Sequence, residues 1–542
     1  MESREHQPGN ETAERPRLFS RAVFSSDHKS VGLRFLWLAL FSVVLGMTLS
    51  LVMRVQLSHQ ATGGPANMDQ YAAITLLHGS LMVFCVLTAA PQCGFGYFLL
   101  PLQIGAREMA FPVISGTSFW MTVAALVGIS ASVLPTRSSG ATLWLLSVMC
   151  FCGAMLLASL NLCVTVIGLR AKGMTFPRLP ITVWAWFITS ILSFLIFSIL
   201  LASSTLLLSD RLFNTHFFGL ASQIPFTASS VWQRWFWFYA QAEVYVAMLP
   251  CFGIVTHLIS VYSRKPLWSE RLAVLALCAV GLFGFCVWGE HMFASGLNPY
   301  TPLVFSVLAS SLGAPALLLI ICWFGTLRDG KIRVTTAMLF SLGFVSLFLS
   351  GGLSGIFLAR QEFARGSVGD PFVTGHFHLV MGVAATFAIL AALFFWFPKM
   401  FGRRLNEKLG KVHFWVTFVG VYTLFMAMHW VGLLDRAAPI AAAAWVRSFR
   451  AVIGVATVAT VSAQILFFAN FIWSLLRGES AGAKNPWRAT TLEWSVASPP
   501  PHENFNGGVP VVFRGAYEFG VPLAGEDFVP QHIAPDQLAK LR

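Results

Sequence analysis

The run Gly375-His376-Phe377-His378 carries the densest chemistry in the sequence. Two steps along a helix turn through about 200° at 3.6 residues per turn, so the two imidazoles point to opposite sides. They cannot chelate one metal, but they can serve two cofactors, one on each side. Neutral imidazole is a common axial ligand of haem iron. The competing reading is two core histidines bonded to neighbouring helices. A six-coordinate haem needs a second ligand from another helix, and His78, in Leu77-His78-Gly79-Ser80, can supply it. A second set follows. Gln241 and Tyr245 are four apart and share a helix face, while Glu243 points the other way. Glu290-His291 places a carboxylate beside an imidazole. That pair either satisfies itself or offers oxygen and nitrogen ligands to a metal.

The surrounding composition gives these residues their weight. The chain has 542 residues, 56% hydrophobic and 11% charged, where a soluble domain carries about 25% charged residues. This excludes a disordered chain, an ordinary soluble enzyme and a nucleic-acid partner. A bilayer core takes about 20 apolar residues of helix. That window predicts twelve spans, at 33–53, 73–100, 112–134, 141–168, 182–208, 231–262, 271–292, 302–326, 334–358, 371–397, 413–434 and 448–476. The expected fold is therefore an all-α polytopic membrane protein with twelve transmembrane helices. An N-terminal tail (1–30) and a Pro-rich C-terminal tail (479–542) flank a twelve-helix domain (31–478). An ionisable residue at membrane depth is costly and marks function by default. Glu243 and Glu290 are the main carboxylates there, beside His78, His291, His376 and His378. The net charge of +13 reads as topology. Lys and Arg concentrate in the even-numbered loops, which places both termini in the cytoplasm of a bacterial inner membrane. The nine cysteines lie in apolar stretches and read as buried small hydrophobes.

Several ordered stretches resemble a known family. They are Ser26-Asp27-His28-Lys29, Ser50-Leu51-Val52-Met53-Arg54, His78-Gly79-Ser80-Leu81-Met82-Val83-Phe84, Pro101-Leu102-Gln103-Ile104-Gly105-Ala106, His291-Met292-Phe293, His376-Phe377-His378, Trp396-Phe397-Pro398-Lys399-Met400, Asn485-Pro486-Trp487 and Thr491-Leu492-Glu493-Trp494. The chain resembles subunit I of the haem–copper oxidase superfamily, cytochrome c oxidase subunit I in particular. The resemblance implies two haems. His78 and His378 match the axial ligands of the low-spin haem, His376 that of the high-spin haem. Arg54 matches an arginine beside the low-spin haem, and Arg436 lies near the arginine pair that holds haem propionates. It also implies a small subunit II carrying copper or c-type haem, and cytochrome c or a similar electron donor.

The departures from the family pattern are informative. Two of the three copper-binding histidines are replaced, by Gln241 and Glu290, and only His291 is kept. Tyr245 is present, but Gln241 cannot form the covalent tie that the family's histidine makes to that tyrosine. Glu243 matches the glutamate ending one proton channel. The aspartate at that channel's mouth is Glu108, and the second channel's lysine aligns with Leu319. Soft ligands select Cu(I), while carboxylate suits harder ions. His291, Glu290 and Gln241 therefore suit a non-haem iron, with copper as the alternative. The expected activity is reduction of NO to N2O, with Glu290, Glu243 and Tyr245 handling protons. Reduction of O2 to water at an unusual metal site is the first alternative, a non-enzymatic haem protein the second.

Overall fold

The computed structural model describes residues 24–61, 68–134, 137–218, 230–289, 300–359, 370–437, 443–482, 484–505, 508–521 and 526–541. They form a bundle of twelve helices. These are α1 (His28–Ala61), α2, α3 (Pro112–Ala131), α4 (Arg137–Gly168), α5 (Ile181–Phe213), α6 (Ser230–Ser263), α7 (Glu270–Cys286), α8, α9 (Thr336–Leu358), α10, α11 (Glu407–Ala437) and α12 (Ala443–Arg477). Three are composite. Helix α2 runs as Met68–Ser80, a π-helical stretch Leu81–Phe95, and Gly96–Ile104. Helix α8 runs as Tyr300–Ser311 and Gly313–Leu327, and α10 as Pro371–Phe377, a π-helical turn His378–Gly382, and Val383–Phe401. Among the described residues there is no β-strand, only two isolated bridges.

Each helix overlaps one expected span. Eleven are long and apolar enough to cross a membrane. The exception, α7, has 17 residues and leads into a segment outside the described residues. Helices α6 and α10 are central, with 89% and 78% of their apolar windows buried, against 17% for α8. Burial on all sides explains why α10 reads as continuously apolar from Val383, with small residues Ala384, Ala385, Ala388, Ala391 and Ala392 letting α9, α6 and α2 approach.

One face of the bundle is closed by the chain's own ends. Lys29 Nζ, at the start of α1, donates to Asn504 Oδ1 at 2.8 Å. Arg178, between α4 and α5, donates to Val512 O at 3.1 Å. Arg264, between α6 and α7, donates from Nε to Asp527 at 2.9 Å and from Nη1 to the carbonyl of Arg488 at 2.7 Å. Lys331 N, between α8 and α9, donates to Ser263 O at 2.8 Å, and Arg404 N, after α10, to Glu479 O at 2.9 Å. Asn504 Nδ2 donates in turn to Arg107 O, between α2 and α3, at 3.0 Å, so the five loops expected on one side of a membrane share one face with residues 28–29 and the C-terminal tail. The tail also carries Glu493 into the bundle, fully buried, where Gln103 Nε2 donates to its carboxyl at 3.0 Å. Burial holds that carboxyl above the usual carboxylate range, whereas the guanidinium of Arg264 holds Asp527 below it.

Candidate functional site

The site is built around α10. Asp370 caps its N-terminus, accepting from Phe372 N at 2.6 Å, and Pro371 occupies the first helical position, where its missing N–H costs nothing. One turn on come the two histidines, and they address different neighbours. His376 Nδ1 donates to Gly351 O of α9 at 3.0 Å, with Ser354 Oγ also at 3.0 Å. His378 lies against α11, its ring stacked on Phe425 at 4.8 Å and 17°. Its Nδ1 donates to Thr374 O, one turn back on its own helix, at 2.8 Å.

His78 on α2 uses the same device, donating from Nδ1 to Gly46 O of α1 at 2.8 Å. An Nδ1–H fixed on a carbonyl selects the neutral tautomer whose Nε2 lone pair can ligate a metal, and it orients the ring. Three imidazoles so arranged in an apolar bundle fit axial ligation of haem iron. His78 and Arg54 both lie near His378. Arg54 Nη2 meets Met428 Sδ of α11 at 3.4 Å. His78 lies three residues before one π-helical stretch, which starts at Leu81, and His378 opens another. The extra residue per turn re-aims a side chain, and such turns recur at functional sites. Pro91 within the α2 stretch withholds a backbone donor, consistent with that local unwinding.

The second group lies on α6. Glu243 is 2% exposed, and the Thr88 hydroxyl of α2 donates to its Oε1. Its Oε2 has no hydrogen-bond partner among the described residues, and Tyr239 lies beside it. Gln241 is 7% exposed, and Tyr245 packs against α7 at Gly284, where a Cβ would fall 2.4 Å from the phenol ring. Glu290 and His291 lie outside the described residues. The chain leading into them is anchored, however. Trp288 stacks on Phe238 of α6 at 5.1 Å and meets Phe305 of α8 at 4.9 Å. Phe238 is three residues from Gln241, so residue 288 is held to the α6 segment that carries Gln241. Among the described residues no group of three His, Cys, Asp or Glu could hold a metal.

Arg436 of α11 is engaged by Asp370, its Nε donating to Oδ2 at 2.6 Å. It thereby clamps the N-terminus of the histidine-bearing helix to α11. The sequence reading missed the partners that orient the site: Thr88, Gly351, Ser354, Phe425 and Asp370. Only Asp370 has a local signature, an Asp-Pro pair opening a helix. The others are contacts between helices distant in sequence.

Comparison with known proteins places the chain. Residues 30–465 match the family model described as cytochrome c and quinol oxidase polypeptide I. The alternative cytochrome c oxidase subunit 1 of Bradyrhizobium diazoefficiens is 38% identical, covering 95% of this chain and 94% of its own length. The cytochrome c oxidase subunit 1 of a Synechocystis species is 34% identical, covering 92% of each. Among solved structures, a haem–copper terminal oxidase dimer matches the fold with a TM-score of 0.65 at 16% identity, over 83% of this chain and 84% of that one.

Proposed function

The chain belongs to the cytochrome c and quinol oxidase polypeptide I family, and within that family we propose, from the residues at its altered site, that it reduces nitric oxide to nitrous oxide. Membership makes it an integral membrane oxidoreductase subunit of the haem–copper terminal oxidase class, a class that uses haems and a copper or other metal centre. The finer reading is that His78 and His378 hold a low-spin haem between α2 and α10, with Arg54 beside it. His376 holds a high-spin haem on the α9 side, and Gln241, Glu290 and His291 hold a non-haem iron. Bound haems supply electron transfer and gas binding.

The observation that carries the choice of NO is Gln241. It stands four residues before Tyr245 on α6, where an amide can form no covalent tie to the phenol. Joining two NO consumes two electrons and two protons and releases one water with N2O, so two metal centres suffice without an oxidisable side chain. Glu243, beside Thr88 and Tyr239, is placed to pass protons, as are Tyr245 and Glu290. Arg436 contributes by fixing α10 through Asp370. Electrons come from a small subunit II carrying copper or c-type haem, fed by cytochrome c or a similar donor. The basic loops orient the face closed by the tail toward the cytoplasm of a bacterial inner membrane.

The test is anaerobic turnover of the purified complex with a reduced donor, together with metal analysis. The expected result is N2O production and about one non-haem iron for every two haems, following the ligand preferences above. Rapid O2 reduction to water with no N2O would overturn it. That outcome would favour the second reading, an O2-reducing terminal oxidase with copper at an altered site, which the names of the relatives support.

A further inference from the structure

The ligand histidines differ in what their Nδ1 atoms meet. His78 and His378 each meet one backbone carbonyl among the described residues. His376 Nδ1 meets two oxygens, Gly351 O and Ser354 Oγ, both at 3.0 Å. Ser354 directs its own hydroxyl hydrogen to Gly351 O at 2.7 Å. That leaves the serine oxygen's lone pairs turned toward the imidazole N–H. Ser354 is 9% exposed, so this contact is little screened by solvent.

The serine's position is itself fixed. A Cβ added at Gly355 would fall 3.0 Å from His376 Cε1, so the ring already lies flush against α9 at this turn. One and two turns earlier, Ser350 and Ser346 bond the Tyr422 hydroxyl of α11 at 2.8 Å and 2.7 Å. This pins α9 to α11, and with it the level of Ser354.

We propose that Ser354 is a positioning residue that sets the orientation and donor strength of the His376 imidazole. The proposal rests on the reading of His376 as the axial ligand of the high-spin haem. A second acceptor on Nδ1 draws the N–H proton away from the ring and makes Nε2 a stronger donor to iron. A stronger donor stabilises ferric iron, so the haem on the α9 side is held at a lower potential than a single carbonyl would give. Neither low-spin ligand has this second acceptor among the described residues. The two sides of α10 are thus tuned separately although their ligands are two residues apart.

The experiment uses the full complex with Ser354→Ala and Ser354→Thr, plus His376→Ala as reference. It reads the iron–imidazole stretch of the reduced five-coordinate haem by resonance Raman, and the midpoint potential of each haem by redox titration. Ser354→Ala should move the stretch to lower frequency and raise the high-spin potential. Ser354→Thr should restore both, and the low-spin haem should be unchanged in every case. A wild-type stretch and potential in Ser354→Ala, or an equal shift of the low-spin haem, overturns the proposal. An iron–imidazole band that persists in His376→Ala overturns the ligand reading beneath it. A band lost there but unmoved by Ser354→Ala overturns the serine's role alone.

Discussion

The two sides of α10 achieve one arrangement by different means. On the α11 side, His378 is oriented by its own helix, through Thr374 O one turn back. On the α9 side, His376 is oriented by a neighbouring helix, through Gly351 O and Ser354 Oγ. The first ring is set by local backbone geometry and stays set wherever α10 goes. The second is set by how closely α9 and α10 pack. A helix carrying two imidazoles two residues apart can therefore have one changed without the other, and perturbations should separate by which neighbour they touch.

The largest effects come from removing either imidazole. His376→Ala and His378→Ala should each bring turnover to background and each cost one of two haems, as measured by pyridine haemochrome content. Loss of both haems in either variant would mean that the sides are not independent. A smaller effect is expected from Gly355→Ala, whose Cβ would press on His376 Cε1 at 3.0 Å. Overpacking of about 1–3 kcal/mol corresponds to a loss of up to about a hundredfold in correctly seated ligand. Absorption spectra should show a weakened high-spin band beside an intact low-spin band.

Asp370→Asn tests what the sides share. It keeps a capping side chain but removes the charge facing Arg436, in a pair whose side chains are 10% and 27% exposed. A cost of about 1–2 kcal/mol is expected for a pair between buried and exposed, seen as a lower melting temperature. Because the whole helix start is released, both haem bands should broaden together.

The smallest effect serves as the control, Glu493→Gln in the tail. Burial raises this carboxyl in the folded protein. Its contribution to tail docking is therefore complete below the unfolded carboxylate range and is lost as pH rises toward its folded value. Wild type should lose melting temperature over that rise, Glu493→Gln should not, and neither haem band should change. A shifted haem band in this variant would mean that the tail acts on α10.

Much of the architecture was legible in the sequence because the bilayer imposes a length and an apolar composition on every helix. The opposite facing of His376 and His378 followed from helical rotation alone, and the structure gives them different neighbours. The expected site was less complete. Gln241, Glu243 and Tyr245 share α6, but Glu290 and His291 lie outside the described residues. The orienting partners were not legible at all. Thr88 meets Glu243 across 155 positions and Gly351 meets His376 across 25, and such contacts depend on how helices cross. The π-helical turns after His78 and at His378 were likewise hidden, since α and π stretches share one apolar composition.

The two-sided arrangement is tested most directly by the low-temperature EPR spectrum of the oxidised His376→Ala complex. The account predicts an undiminished low-spin haem signal, with the axial high-spin signal gone. A spectrum that loses the low-spin signal, or that keeps an unaltered high-spin signal, would contradict it.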